Sequence, residues 1–158
     1  YRLSSKMAVY ETGGLLQWGE RHSIIEHPVN KTVARLTGME NIFDGKVTEI
    51  EGSRVDIRLG AGHISLYPDN LSHLAVNQDI SVAIRPEYVK LADSQEKNCL
   101  AAELIDGKEE LSFYNYTFRL QEQASIKVHA SKRTGPRLIV GNTYHLYLPP
   151  ENLVVIGL

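Results

Sequence analysis

The chain is poor in several things that decide function classes. One cysteine, Cys99, stands among 158 residues. A lone thiol excludes an internal disulfide and a multi-cysteine metal site, and it suits a reducing compartment. No apolar run approaches the roughly 20 residues of a membrane-spanning helix. The longest strongly apolar stretches, such as Leu153-Val154-Val155-Ile156, are strand-sized. A basic surplus is also missing. Lys plus Arg number 17 against 19 Asp plus Glu, a net charge of −2, which argues against a dedicated nucleic-acid binder. The six histidines are scattered; neither His22 and His27 nor His63 and His73 stand at a zinc-ligand spacing. There is no Gly-x-x-x-x-Gly-Lys-Ser/Thr phosphate loop, and Gly13-Gly14 lacks both the lysine and the following helix that a phosphate cradle needs. No Ser-His-Asp set, Cys-His pair or paired carboxylates follow from spacing, so catalysis within these residues is not expected. The opening Tyr1-Arg2-Leu3-Ser4 has no signal-peptide design. A first residue other than Met is what a fragment of a longer protein would show.

What is present suits a soluble globular chain, with 42% hydrophobic and 23% charged residues. That is enough for one ordinary domain or two very small ones. Met7-Ala8-Val9-Tyr10 and Leu15-Leu16-Gln17-Trp18 flank Gly13-Gly14 and predict a hairpin. A short helix follows around Ser23 to His27 and ends at His27, because Pro28 pushes the preceding residue out of helical geometry. Val29, Val33 and Leu36 recur at helical spacing, and Gly38 stands where a C-cap belongs. Trp18 is expected to pack against this linker. From residue 39 the period changes to two. Strands are expected at Lys46–Glu51, Arg54–Leu59, His63–Tyr67, Ile80–Ile84, Tyr88–Leu91, Leu100–Ile105, Leu111–Leu120, Ser125–His129, Thr143–Leu148 and Leu153–Ile156. Many short strands separated by turns imply small all-β barrels or sandwiches.

The strand region also repeats itself. Asn41-Ile42-Phe43-Asp44-Gly45-Lys46-Val47 aligns with Asn98-Cys99-Leu100-Ala101-Ala102-Glu103-Leu104. Val82 to Val89, with Arg85-Pro86-Glu87, aligns with Leu146 to Leu153, with Pro149-Pro150-Glu151. Each unit therefore has an Asn before its first strand and a Pro-Glu between its last two, where proline removes a ladder donor. The expected division is residues 1–38, a first unit over 39–92 and a second over 93–158, joined by the polar Asp93-Ser94-Gln95-Glu96-Lys97.

In order and spacing, these segments resemble the C-terminal part of the ATPase subunit of bacterial ABC importers, the group that includes maltose, spermidine, ferric iron, sulfate and molybdate transporters. The residues that carry the resemblance are Leu3 to Val9, Gly13 to Gly19, Ile24-Ile25-Glu26-His27-Pro28, Val33-Ala34 through Gly38 to Asn41, and Ile84-Arg85-Pro86-Glu87. The resemblance implies that residues 1–38 are the tail of a nucleotide-binding domain. It implies a mainly β remainder, two tandem small OB-like barrels of the transport-associated (TOBE) type, related to molybdate-binding repeats. It implies a regulatory and dimerisation role, with ATP and magnesium used by the parent protein and no cofactor in this fragment. The expected partners are a second copy, membrane permease subunits, and a small oxyanion or a regulatory protein. The expected location is cytoplasmic, at the inner face of the membrane. The alternatives are a stand-alone molybdate- or tungstate-binding protein and, more remotely, an OB-type nucleic-acid binder using Tyr114, Tyr116 and Phe118.

Residue by residue, the related oxyanion-binding repeats open on hydroxyl, amide and cationic donors. The first unit here opens on Gly38-Met39-Glu40-Asn41, where Glu40 would repel an anion. The second opens on Gln95-Glu96-Lys97-Asn98, so Lys97 and Asn98 are the better anion candidates, with Asn41 their counterpart. The bland reading is a solvated lysine and a turn-capping asparagine. Lys132 and Arg133, in Ser131-Lys132-Arg133-Thr134-Gly135, form a second candidate anion loop, set against plain solvated charges at a hairpin tip. Arg85, Pro86 and Glu87 are motif or interface residues, with Arg85 and Glu87 able to pair across a turn. Cys99 is expected as a small core residue.

Overall fold

The computed structural model describes residues 5–60, 62–93, 97–120 and 124–157. It opens with a hairpin of β1 (Lys6–Glu11) and β2 (Gly14–Glu20). Two one-and-a-half-turn helices follow, α1 (Arg21–Glu26) and α2 (Lys31–Leu36). Helices this short do not persist alone, and each is fixed by its ends. The helical run of α1 stops before Pro28, at His27. The side chain of Asn30 accepts from the Val33 amide at 2.9 Å and caps α2. At the other end Gly38 takes φ +97°. Its amide donates to Arg35 O at 3.0 Å while Met39 N donates to Ala34 O at 2.9 Å, a paired closure that favours glycine at this position.

The expected apolar stripe of α2 is corrected by the fold. Val33 and Ala34 are its buried residues, whereas Val29 precedes the helix and Leu36 faces solvent. Val33 joins Val9 and Ile24 in a small core beneath the hairpin, with Met7 and Leu16 against it. Ala34 belongs to a different cluster, with Met39 and Ala83.

The remainder is two five-stranded antiparallel sheets. The first contains β3 (Asn41–Glu51), β4 (Arg54–Leu59), β5 (Gly62–Leu66) and β6 (Asp79–Ile84). A 3-10 turn at Pro86–Tyr88 leads to β7 (Lys90–Ala92). The second contains β8 (Cys99–Glu109), β9 (Phe113–Arg119), β10 (Ser125–Ser131) and β11 (Thr143–Tyr147). A second 3-10 turn at Pro150–Asn152 leads to β12 (Val154–Val155). The strand orders are β12-β6-β3-β4-β5 and β10-β9-β8-β11-β7. The last strand of each unit therefore crosses to the other unit's sheet. β7 pairs with β11, with Leu91 opposite Leu146, and β12 pairs with β6, with Val155 opposite Val82. Each Pro-Glu turn releases its chain from one ladder and aims it at the other.

The two sheets match in one local feature. Both long first strands carry a bulge at matching places, between Val47 and Glu49 and between Leu104 and Asp106. One continuous core joins the sheets. It includes Val47, Ile57, Leu66 and Ile84 from the first unit and Leu104, Phe118, Ile126 and Leu148 from the second. β5 packs against β8, and the Pro86 turn packs against β10. The fold is mainly β, as expected. Tyr116 and Phe118 lie inside this core.

Candidate functional site

Asn41 and Asn98, the two repeat asparagines, are the buried polar residues of the described chain, at 2% and 3% exposure. Each reaches across to the other unit's edge strand. Asn41 accepts from Lys127 N at 2.7 Å and donates to Lys127 O at 2.8 Å. Asn98 accepts from Ser65 N at 2.7 Å and donates to Ser65 O at 2.8 Å and to Leu148 O at 2.9 Å. The two exposed edges, β5 and β10, are thus bonded by a side-chain amide where another strand would otherwise add. A primary amide offers one acceptor and two donors in the same spacing as a peptide group, which is why asparagine fits both places. The amide donors considered for an anion are engaged with backbone carbonyls.

Lys97 is exposed and has no ion-pair partner among the described residues. It lines a cleft of about 620 Å³ with Arg54, His63, Glu49 and Asp56. Arg54 is already surrounded by carboxylates, with Glu51 at 3.0 Å, Asp56 at 3.2 Å and Glu49 at 3.6 Å. Asp56 above all, then Glu51 and Glu49, hold the guanidinium more firmly protonated than usual. That leaves Lys97 as the cation this cleft could turn toward an anion, with His63 also in its lining. In the first unit, Glu40 pairs with Lys127 at 3.5 Å.

The other expected residues lie apart from this cleft. Lys132 donates to Glu109 at 2.8 Å and lies 5.5 Å from the centre of the Tyr114 ring. That pairing keeps the Glu109 carboxyl below its ordinary range. Arg133 is exposed, and its backbone amide donates to the Ser131 hydroxyl at 3.2 Å. Pro86 is buried and Glu87 exposed, and no ion pair joins Glu87 to Arg85 among the described residues. Arg85 instead covers Gly38, where a Cβ would meet its Nη1 at 2.6 Å. Trp18 is 61% exposed and has the Lys6 ammonium 5.0 Å above its ring, so it does not pack on the linker as expected. Cys99 is half-buried at the start of β8.

Sequence reasoning did not anticipate a second cleft, of about 600 Å³, where three parts of the chain meet. Glu26 and His27 come from the end of α1, Tyr67, Pro68, Asp69 and Asn70 from the segment after β5. Tyr147, Pro150, Glu151 and Val154 come from the end of the second unit. Among the described residues its lining holds three carboxylates and two tyrosines but no Lys or Arg. His27 approaches Asp69 at 3.8 Å. No sequence signal marks it, because its residues come from segments far apart in the chain. Among the described residues no group of three or more His, Cys, Asp or Glu is placed to hold a metal, and no helix is long and apolar enough to cross a membrane.

No family model matches the chain. It is similar to curated ATP-binding proteins of import systems. The spermidine/putrescine import ATP-binding protein PotA of Rubrobacter xylanophilus is 28% identical over 157 residues, 98% of this chain and 41% of that protein. The PotA of Ruegeria pomeroyi is 31% identical over 66% of this chain and 27% of its own length. The maltose/maltodextrin import ATP-binding protein MalK of Mannheimia succiniciproducens is 30% identical over 60% of this chain and 26% of its own. The chain thus spans about two fifths or less of the length of these relatives. Among solved structures, the cytoplasmic molybdate-binding protein ModG, with molybdate bound, matches with a TM-score of 0.67. The match covers 74% of this chain and 95% of that one at 19% identity, a likeness of fold. These similarities bear out the resemblance to the C-terminal, TOBE-like region of bacterial ABC importer ATPase subunits, and with it the OB-like fold.

Proposed function

We propose that this chain is the C-terminal regulatory and dimerisation module of the ATP-binding subunit of a solute importer. The observation that carries the reading is the two-faced hairpin. Its inner face, with Val9 and Leu16, is filled by α1 and α2. Its outer face exposes Tyr10 at 66%, Leu15 at 56% and Trp18 at 61%. An isolated two-stranded ribbon is marginal in water and gains stability from what covers it, and a contiguous apolar face marks a surface made for contact. An ATPase core fits it, since the similar proteins are more than twice as long as this chain. In that setting ATP and magnesium belong to the preceding domain, and the permease subunits bind the ATPase. The module sits at the cytoplasmic face of the membrane and pairs with a second copy. Regulation is linkage: a ligand that prefers one arrangement of the modules shifts the ATPase equilibrium by its differential affinity.

The test is amide hydrogen exchange of Met7–Tyr10 and Leu15–Trp18. It compares this chain alone with the same chain placed behind the ATPase core of the Rubrobacter xylanophilus relative. Protection in the hairpin should rise about tenfold or more and the Trp18 emission should shift to the blue. An unchanged hairpin would count against the reading.

For the solute, the three-way cleft favours an organic cation. Glu26, Asp69 and Glu151 supply charge, while Tyr67 and Tyr147 supply faces for an ammonium or its methylenes. The names of the PotA relatives point the same way. An oxyanion at Lys97 is the second reading, favoured by the molybdate-binding fold neighbour and weakened by the engaged amide of Asn98. Calorimetric titration with spermidine, putrescine, molybdate and tungstate separates them. Lys97→Ala should weaken anion binding about tenfold under the second reading and leave amine binding unchanged under the first. Nucleic-acid binding finds no support, because Tyr116 and Phe118 are buried and cannot stack on bases.

A further inference from the structure

The two exchanged strands are equivalent in topology but not in what they carry. In the second unit's strand, Val155 points into the main core, while Val154 and Ile156 point the other way, onto Ala34 and Met39. The alternation is that of any strand, but here both faces are apolar and both are used. Beyond Val155 the chain continues the same path. Ile156 N donates to Ser81 O at 2.9 Å, and Gly157, at φ +87°, turns its amide onto Pro28 O at 3.1 Å. The end of the second unit is thereby bonded directly to the segment joining α1 and α2. Gln17 of β2 holds the same segment from the other side, donating to His27 O and accepting from Val29 N, each at 3.1 Å.

The first unit's strand differs at the matching positions. Lys90 and Ala92 stand where the second has Val154 and Ile156, and Leu91 is 37% exposed. The outward face carries two branched aliphatic side chains in the strand that meets the linker helix, against a lysine and an alanine in the other.

We propose that residues 154–157 are a strap through which the second unit controls the docking of the hairpin and helices at the N-terminal end of the chain. The path upstream is stiff. Asn98 holds Leu148 O, Leu148 N donates to Asn98 O at 2.9 Å, and Pro149 and Pro150 fix the backbone that follows. A displacement of β8 relative to β11 therefore reaches the strap without a flexible joint between. The strap deepens the regulatory reading and rests on it for its purpose. Its test needs neither ATP nor solute, so the two can fail separately.

The test is hydrogen exchange on the whole 158-residue chain, reading the amides of Ala34, Thr37, Gly38 and Met39 that close α2. Ile156→Asp should speed their exchange about tenfold or more, with β8–β11 amides unchanged. Leu91→Asp, in the counterpart strand, should leave α2 as it is. If Ile156→Asp disrupts the sheets as a whole, the comparison passes to Ile156→Ala and Leu91→Ala, where the first alone should loosen α2. Unchanged α2 exchange in the Ile156 variants, or equal loosening from both strands, would overturn the proposal.

Discussion

The two units share a plan and differ in their loads. Each has an opening asparagine, a bulged first strand, a Pro-Glu turn and a last strand given to its neighbour. Yet among the described residues the Asn98 side chain makes three hydrogen bonds and the Asn41 side chain makes two. The strand leaving the second unit carries the linker, while the strand leaving the first does not. Duplication supplied one interlocking frame. Differences at a few positions gave one half the mechanical task.

The largest expected effect compares the two clamps. Asn98→Ala strips Ser65 and Leu148 of their partners. Leu148 O is buried and the two Ser65 groups are part-buried, so at about 1–3 kcal/mol for each group left unsatisfied the loss should be about 3–5 kcal/mol. Asn98 also sits at φ +61°, which alanine tolerates poorly, so Asn98→Gly should recover part of the loss but not the hydrogen bonds. Asn41→Ala should cost less, about 1–3 kcal/mol, because Lys127 is exposed and water can replace the amide. Urea unfolding of the three variants checks the order, and equal losses would break the asymmetry.

Next come Gly45 and its counterpart Ala102, which occupy the same ladder position opposite Ile80 and Tyr144. A Cβ at Gly45 would lie 2.6 Å from Ile57 Cγ2, 2.7 Å from Leu59 Cδ2 and 2.9 Å from Arg58 O. Gly45→Ala should therefore destabilise by about 1–3 kcal/mol through overpacking, although the second unit holds a methyl at this point. A thermal melt reads the difference.

Smaller again is Gly38→Ala, which meets the Arg85 guanidinium and a φ of +97°. The guanidinium can move aside, so the cost is mainly backbone, about 1 kcal/mol. It should appear as faster exchange in α2 with little change in the sheets.

The smallest effect is electrostatic. Asp44 accepts from Ser81 Oγ at 2.6 Å and pairs with Lys31 at 2.9 Å. These two contacts, Ser81 first, hold its carboxyl below the ordinary aspartate range. A carboxylate with a lowered folded value adds stability above its unfolded value and loses it as pH falls through the folded one. The contribution pins α2 to the first unit, and the side chain is 73% exposed, so solvent screens it strongly. Ser81→Ala should shift the acid limb of the stability curve slightly and leave neutral pH nearly unchanged. An acid titration of the melting temperature tests this.

Much of the fold was legible in the chain. Alternation located the ten expected strands, and Pro28 and Gly38 marked the helix ends. The paired Asn and Pro-Glu positions showed the duplication. The exchange of last strands was not legible, because β7 and β12 have three and two residues and an apolar alternation satisfied by either sheet. The site was less visible still. Asn41 and Asn98 stood out by repetition, but a sequence does not say whether an amide faces a ligand or a neighbouring backbone. Leu111 was expected in a strand and lies fully exposed at the β8–β9 tip, where a hydrophobic residue has no core within reach.

The central claim is that the exchanged strands make the two units one cooperative body. Urea unfolding followed by fluorine NMR of fluorotyrosine tests it directly, with Tyr67 reporting on the first unit and Tyr144 on the second. A single shared midpoint is expected for both signals. Two separate midpoints, one unit melting while the other stays folded, would contradict the account.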